Sequence, residues 1–158
     1  AKLLGVRVPA LRSLARELDR EHSLDDDAAI ALLHRLARRK IREEMLVGIF
    51  WIAQKKRRIA HVSWKDVDAW VDAIDNWEVC DQLAMGIAKY RLDEGDAAIA
   101  RLVSWAKSPN LWRRRFAVAT VATAGLSKRD VERVLAPVAG DREPMVKKAV
   151  AWARRELR

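Results

Sequence analysis

Apolar residues recur at every third or fourth position along most of this chain, and no stretch reads as a convincing strand. That spacing lays apolar side chains along one stripe of an α-helix, whereas a half-buried strand needs a period of two. The stripes run from Val8 to Leu18, Ala28 to Leu36, Ile41 to Ile59, Trp64 to Ile74 and Trp77 to Leu92, then from Ala97 to Ala106, Leu111 to Ala124, Val131 to Val138 and Met145 to Leu157. Their ends carry cap chemistry. Ser63 and Ser127 each have an aspartate three residues on, Asp66 and Asp130, a variant of the capping box. Asn76, Asn110 and Asp141 are placed to accept from the orphan amides that open their helices, and Gly125 and Gly140 sit where helices should stop.

The helices group in pairs. Second members open near Lys40, Trp77, Leu111 and Arg142, about 31 to 37 residues apart, a period typical of stacked helix pairs. The expected fold is therefore all-α, a HEAT-like helical-repeat solenoid (an α-α superhelix) forming a single domain over residues 1–158. An irregular helical bundle is the alternative.

Charge divides the two helix sets. Residues 38–59, 76–92, 109–125 and 141–158, the second helices with their leads, carry a net +12, while residues 25–37, 63–75, 93–108 and 126–140 carry −5. In a solenoid one set lines the concave face and the other the convex face. A basic concave face follows as an expectation, and with a net charge of +9 it favours a polyanion, nucleic acid before membrane surface. With 51% hydrophobic and 34% charged residues, the chain is not of a disordered type. One cysteine, Cys80, excludes an intrachain disulfide framework and favours a cytoplasmic location. The longest apolar stretch, Met45 to Ala53, is too short to span a bilayer, and no signal peptide is visible after Ala1-Lys2.

Within this frame Asp81 stands out as a carboxylate in the apolar run Val79-Cys80-Asp81-Gln82-Leu83-Ala84. It shares a helix face with Trp77 four residues earlier. A buried charge is costly unless it is paired or used, and a purely structural ion pair with Arg115 across a helix contact is the plain reading of both residues. Trp51, Trp64, Trp70 and Trp105 read as packing residues, and Cys80 as a small core residue. His22, His34 and His61 are scattered without zinc spacing, no glycine-rich phosphate loop appears, and neither metal nor cofactor is expected.

The segments Gly5-Val6-Arg7-Val8-Pro9-Ala10-Leu11-Arg12, Arg42-Glu43-Glu44, Ile74-Asp75-Asn76-Trp77 with Asp81, Ser108 to Arg115, and Val146 to Glu156 resemble, in that order, the AlkD-like DNA alkylation repair family. That family consists of glycosylases built from HEAT-like repeats. By this resemblance Asp81 matches the catalytic carboxylate, Trp77 and Trp152 the aromatic cleft residues, and Arg115 the arginine beside them. The basic second helices supply the expected DNA contacts: Arg42, Trp112, Arg113, Arg114, Lys147, Lys148 and Arg154. The resemblance implies a monofunctional alkylpurine DNA glycosylase, a monomer acting on double-stranded DNA containing alkylated bases. Such an enzyme would be cytoplasmic and nucleoid-associated when bound. Two departures stand out: family members carry further helices before the G-V-x-V-P segment, and Pro144-Met145 replaces a segment that is often aromatic. A non-catalytic HEAT-like module that binds branched or damaged DNA by shape is the rival reading, and a scaffold for an acidic protein partner is a third.

Overall fold

The computed structural model describes residues 2–157; the two end residues of the expected domain, Ala1 and Arg158, lie outside them. Ten α-helices follow one another among the described residues: α1 (Val8–Glu21), α2 (Asp26–Arg39), α3 (Arg42–Ala53), α4 (Lys56–His61), α5 (Trp64–Asp72), α6 (Trp77–Gly86), α7 (Asp96–Ala106), α8 (Leu111–Ala122), α9 (Lys128–Leu135) and α10 (Pro144–Glu156). Two short 3₁₀ segments, Ala88–Glu94 and Ala136–Val138, join them. The extended pairing seen among the described residues is an isolated bridge between Lys2 and Ile41.

Cap chemistry sets many of these boundaries. Ser63 and Asp66 form a reciprocal capping box at α5, and the side chains of Asn76, Asn110 and Ser127 accept from Val79, Trp112 and Asp130 amides respectively. Gly125 adopts a left-handed φ of 67° beyond α8, but Gly140 does not. Lys40 ends α2 instead, at φ 53°, a conformation that costs a non-glycine residue about 1 kcal/mol. Asp141 does not cap α10 itself: it accepts from the Glu143 amide at 2.9 Å and pairs with Arg114.

Two periodic runs prove to be broken. The run from Ile41 to Ile59 bends after Ala53 into α3 and α4. The bend turns Arg58 back so that it donates to the carbonyl oxygen of Trp51 at 3.1 Å, which a straight helix would prevent. The run from Trp77 to Leu92 leaves α-geometry at Gly86 and tightens into a 3₁₀ segment. Periodicity persists through both because the apolar stripe still faces one core.

Helices α3, α6, α8 and α10 pack side by side in one layer, with α2, α5, α7 and α9 behind them and α1 alongside α3. This is the helical-repeat stack expected from the pairing. Gly48 permits the α2–α3 approach, since a Cβ there would lie 2.8 Å from Cδ1 of Leu33. A continuous core runs through the stack from Leu33 and Leu46 through Trp70 and Leu83 to Phe116 and Val146. Trp64, Trp70 and Trp105 are buried in it, as expected of packing residues, and Trp51 is buried beside it, its Nε1 donating to Asp19 at 3.0 Å. Around α1–α3, Leu4, Val6, Leu14, Leu32 and Leu36 line an apolar groove of about 550 Å³.

Charge segregation between helix sets is partly spent inside the stack. Arg113 pairs with Asp68 and Asp72 of α5 at 2.7 and 2.8 Å, Arg57 with Asp26 at 2.9 Å, and Lys55 with Asp19 at 2.8 Å. Part of the basic excess of the second helices therefore fastens them to α1, α2 and α5. Exposed cations remain at the corners that precede α3, α8 and α10. No helix among the described residues is long and apolar enough to cross a membrane.

Candidate active site

The starting ends of α3, α6, α8 and α10 lie next to one another, and side chains join them across the layer. Arg42, the first residue of α3, donates through Nε to Glu78 of α6 at 2.6 Å and pairs with Glu43 at 3.0 Å. Asp81 and Arg115 each occupy the fifth position of their helices, α6 and α8. Arg115 Nε donates to Oδ1 of Asp81 at 2.9 Å, and Nη2 to Oδ2 at 2.6 Å. Its Nη1 donates to the carbonyl oxygen of Met145 in the first turn of α10. One guanidinium thus holds a carboxylate on one neighbouring helix and a backbone on the other, a geometry lysine cannot reproduce.

Both partners are nearly withdrawn from water, Asp81 at 7% and Arg115 at 6% exposure. Burial pushes the Asp81 carboxyl upward; the two hydrogen bonds and the charge of Arg115 pull it back, leaving it above the usual aspartate value. Trp77, one turn before Asp81, is 50% exposed. An indole that open beside a paired carboxylate is poor core and good contact surface.

Trp152 lies on α10, seven residues beyond Met145 and so about 10 Å further along the axis. It is half-buried, and its Nε1 donates to Glu156 at 3.2 Å. Trp112 is half-buried against the core, and its carbonyl oxygen faces Cys80 Sγ at 3.8 Å. Arg113 is bound to α5, and Arg114 donates to Asp141 at 2.6 Å and to the carbonyl oxygens of Ser108 and Pro109. Lys147, Lys148 and Arg154 are exposed on α10. The structure thus joins Asp81 to Arg115 directly and sets Trp77 beside them. It commits Arg42, Arg113 and Arg114 to internal ion pairs.

The departure at Pro144-Met145 takes on a different meaning here. Proline suits the first helical position, where no amide partner is needed, and Met145 serves Arg115 through its carbonyl, which any residue supplies. Sequence reasoning missed Arg12 as well. Its guanidinium lies 4.1 Å from the Phe50 ring centroid and donates to Gln82 at 2.7 Å, tying α1 to the residue after Asp81.

Residues 1–157 match the model of a family described as DNA alkylation repair enzyme. The chain belongs to that family. Membership makes this DNA alkylation repair protein an enzyme of DNA repair with DNA as its partner, and the match spans all the residues placed above. No curated protein and no solved structure matches it.

Cys80 of the repair protein is fully buried. Its thiol is pushed well above the ordinary range by burial first and by the Asp81 charge second. Thiol-directed alkylating reagents should therefore leave the folded protein unmodified and label it only in denaturant. Mass spectrometry after iodoacetamide treatment checks this, and rapid labelling of the native protein would show an open α6–α8 contact.

Proposed function

We propose that the protein is a DNA glycosylase that hydrolyses the N-glycosidic bond of cationic alkylated purines, 7-methylguanine and 3-methyladenine, in duplex DNA. The observation that carries this reading is the Asp81 carboxylate, held by both oxygens on Arg115 and lying one turn from the exposed Trp77. Alkylation makes the base cationic and a good leaving group. As the bond from C1′ to the base nitrogen lengthens, its electron pair neutralises the base and positive charge builds on the deoxyribose. A fixed carboxylate stabilises that charge without reorganising. Water then adds its oxygen to C1′ and releases a proton to Asp81 or to solvent. Trp77 and Trp152 offer indole faces to the sugar and backbone, with cation–π attraction to the developing charge. No base-reading pocket is needed if selectivity comes from the lability of the lesion.

The bidentate pair also favours a second reading, in which Asp81 and Arg115 only fasten α6 to α8 and the protein binds DNA without chemistry. Release of 7-methylguanine from methylated duplex DNA separates the two. Catalysis needs the ionised carboxylate, so the rate should fall tenfold per pH unit on the acid side, through a midpoint above the usual aspartate value of about 3.9. No release at all overturns the catalytic reading, whereas a profile flat to pH 4 would mean that the Arg115 hydrogen bonds outweigh burial at Asp81.

A further inference from the structure

The repair reading requires a grip on the phosphate backbone, yet three of the arginines best placed by sequence, Arg42, Arg113 and Arg114, are held in internal ion pairs. Other cations occupy a regular place. At the α2–α3 corner Lys40 stands two residues before α3, and at the α9–α10 corner Arg142 stands two residues before α10. Lys107 stands in the α7–α8 corner, four residues before α8. All three are exposed and hold no ion pair among the described residues. The α5–α6 corner breaks the series, with Asp75 two residues before α6.

These corners form one edge. Contacts from Arg42 to Glu78, from Arg115 to Asp81 and from Arg115 to Met145 show that the four second helices start side by side. The residues just before those starts must therefore follow one another in a ridge. Packed helices lie about 8–10 Å apart. Each step along the ridge thus spans two to three phosphates of one strand, at about 3.4 Å of duplex axis per phosphate. Acids near the ridge are partly accounted for: Asp141 is neutralised by Arg114, and Glu143 lies exposed beside Arg142. Lys40 is fixed in the left-handed conformation, so its backbone is set before any ligand arrives.

We infer that Lys40, Lys107 and Arg142 form a corner ridge that grips the phosphodiester backbone of a single DNA strand, with the α5–α6 corner as its gap. The ridge rests on the DNA reading above and adds a register to it. The lesion-bearing nucleotide sits opposite the gap, between the phosphates held by Lys40 and Lys107. There Asp75 leaves the backbone ungripped, and Asp81 lies about 6 Å along α6 from its first residue, Trp77.

The test is duplex binding across a salt series, followed by fluorescence anisotropy, with the triple variant Lys40→Asn, Lys107→Ala, Arg142→Ala. Asparagine keeps the left-handed backbone at residue 40, and unchanged melting confirms the fold. The slope of log affinity against log salt should flatten by about 0.9 for each lost contact, and affinity at moderate salt should fall about tenfold or more. Lys128→Ala, where α9 begins, is the control and should leave the slope unchanged. A triple variant with the parent slope overturns the ridge while leaving the DNA reading intact. A parent protein with no salt-dependent duplex affinity overturns both.

Discussion

Asp81→Asn should cut the release of 7-methylguanine by about 10²–10³-fold while leaving duplex affinity unchanged or slightly raised. The magnitude follows from electrostatics: a unit charge about 4 Å from a developing cation is worth about 4 kcal/mol at an effective dielectric of 20. Arg115, bidentate on the same carboxylate, offsets part of that field, so the loss should resemble removal of one preorganised transition-state contact. Binding responds oppositely, because removing a negative charge beside a polyanion lessens repulsion. The substitution also disturbs a buried pair. One oxygen of asparagine can still accept from Arg115, but the second donor loses its acceptor, at a cost of about 1–3 kcal/mol. Single-turnover assays must therefore be run well below the variant's melting temperature, with duplex binding measured on the same sample. A variant that is folded, binds duplex DNA and still releases the base within tenfold of the parent rate would leave Asp81 a structural acid.

The sequence made the helical stack legible because amphipathic helices announce themselves through spacing, and serine and asparagine caps through chemistry. It could not foretell where an apolar stripe continues while the backbone breaks, as at Gln54-Lys55 and at Gly86, since both halves bury the same stripe. Asp81, Trp77 and Arg115 stand out as candidates from a charge in an apolar run and from the resemblance to family motifs. The fates of Arg42, Arg113 and Arg114 were not. Whether an arginine meets solvent or a carboxylate on the next layer depends on inter-helix register, and local spacing carries no record of it. Arg58 is the clearest case: it sits in the basic run Lys55-Lys56-Arg57-Arg58, yet it is completely buried.

That burial leads to the largest stability effect to be expected from one substitution. Arg58→Ala should destabilise the fold by about 3–5 kcal/mol, the usual cost of breaking a buried ion pair from one side. This corresponds to a drop in Tm of about 6–20 °C for a domain of this size. The guanidinium pairs with Asp19 of α1 at 2.6 Å and donates to the carbonyl oxygens of Trp51 and Leu24 at 3.1 and 3.2 Å. It thus joins α1 to the ends of α3 and the loop before α2, and alanine would leave two carbonyls unpaired around a cavity. Arg58→Met keeps most of the volume and should recover part of the loss, which measures packing against pairing. The pH dependence gives an independent check. Burial pushes the Asp19 carboxyl up, but hydrogen bonds from Lys55, Arg58 and Trp51 outweigh it and hold Asp19 below the usual value. A depressed carboxyl stabilises the fold above its unfolded pKa, and that contribution disappears as pH falls through the folded one. The stability gap between parent and Arg58→Ala should therefore narrow below about pH 4. A gap constant to pH 3 in denaturant titrations would mean that Arg58 acts through packing and its carbonyl contacts, with little from Asp19. Base release by the folded fraction should be unaffected, because Arg58 serves the opposite ends of the second helices from those that carry Asp81 and Arg115.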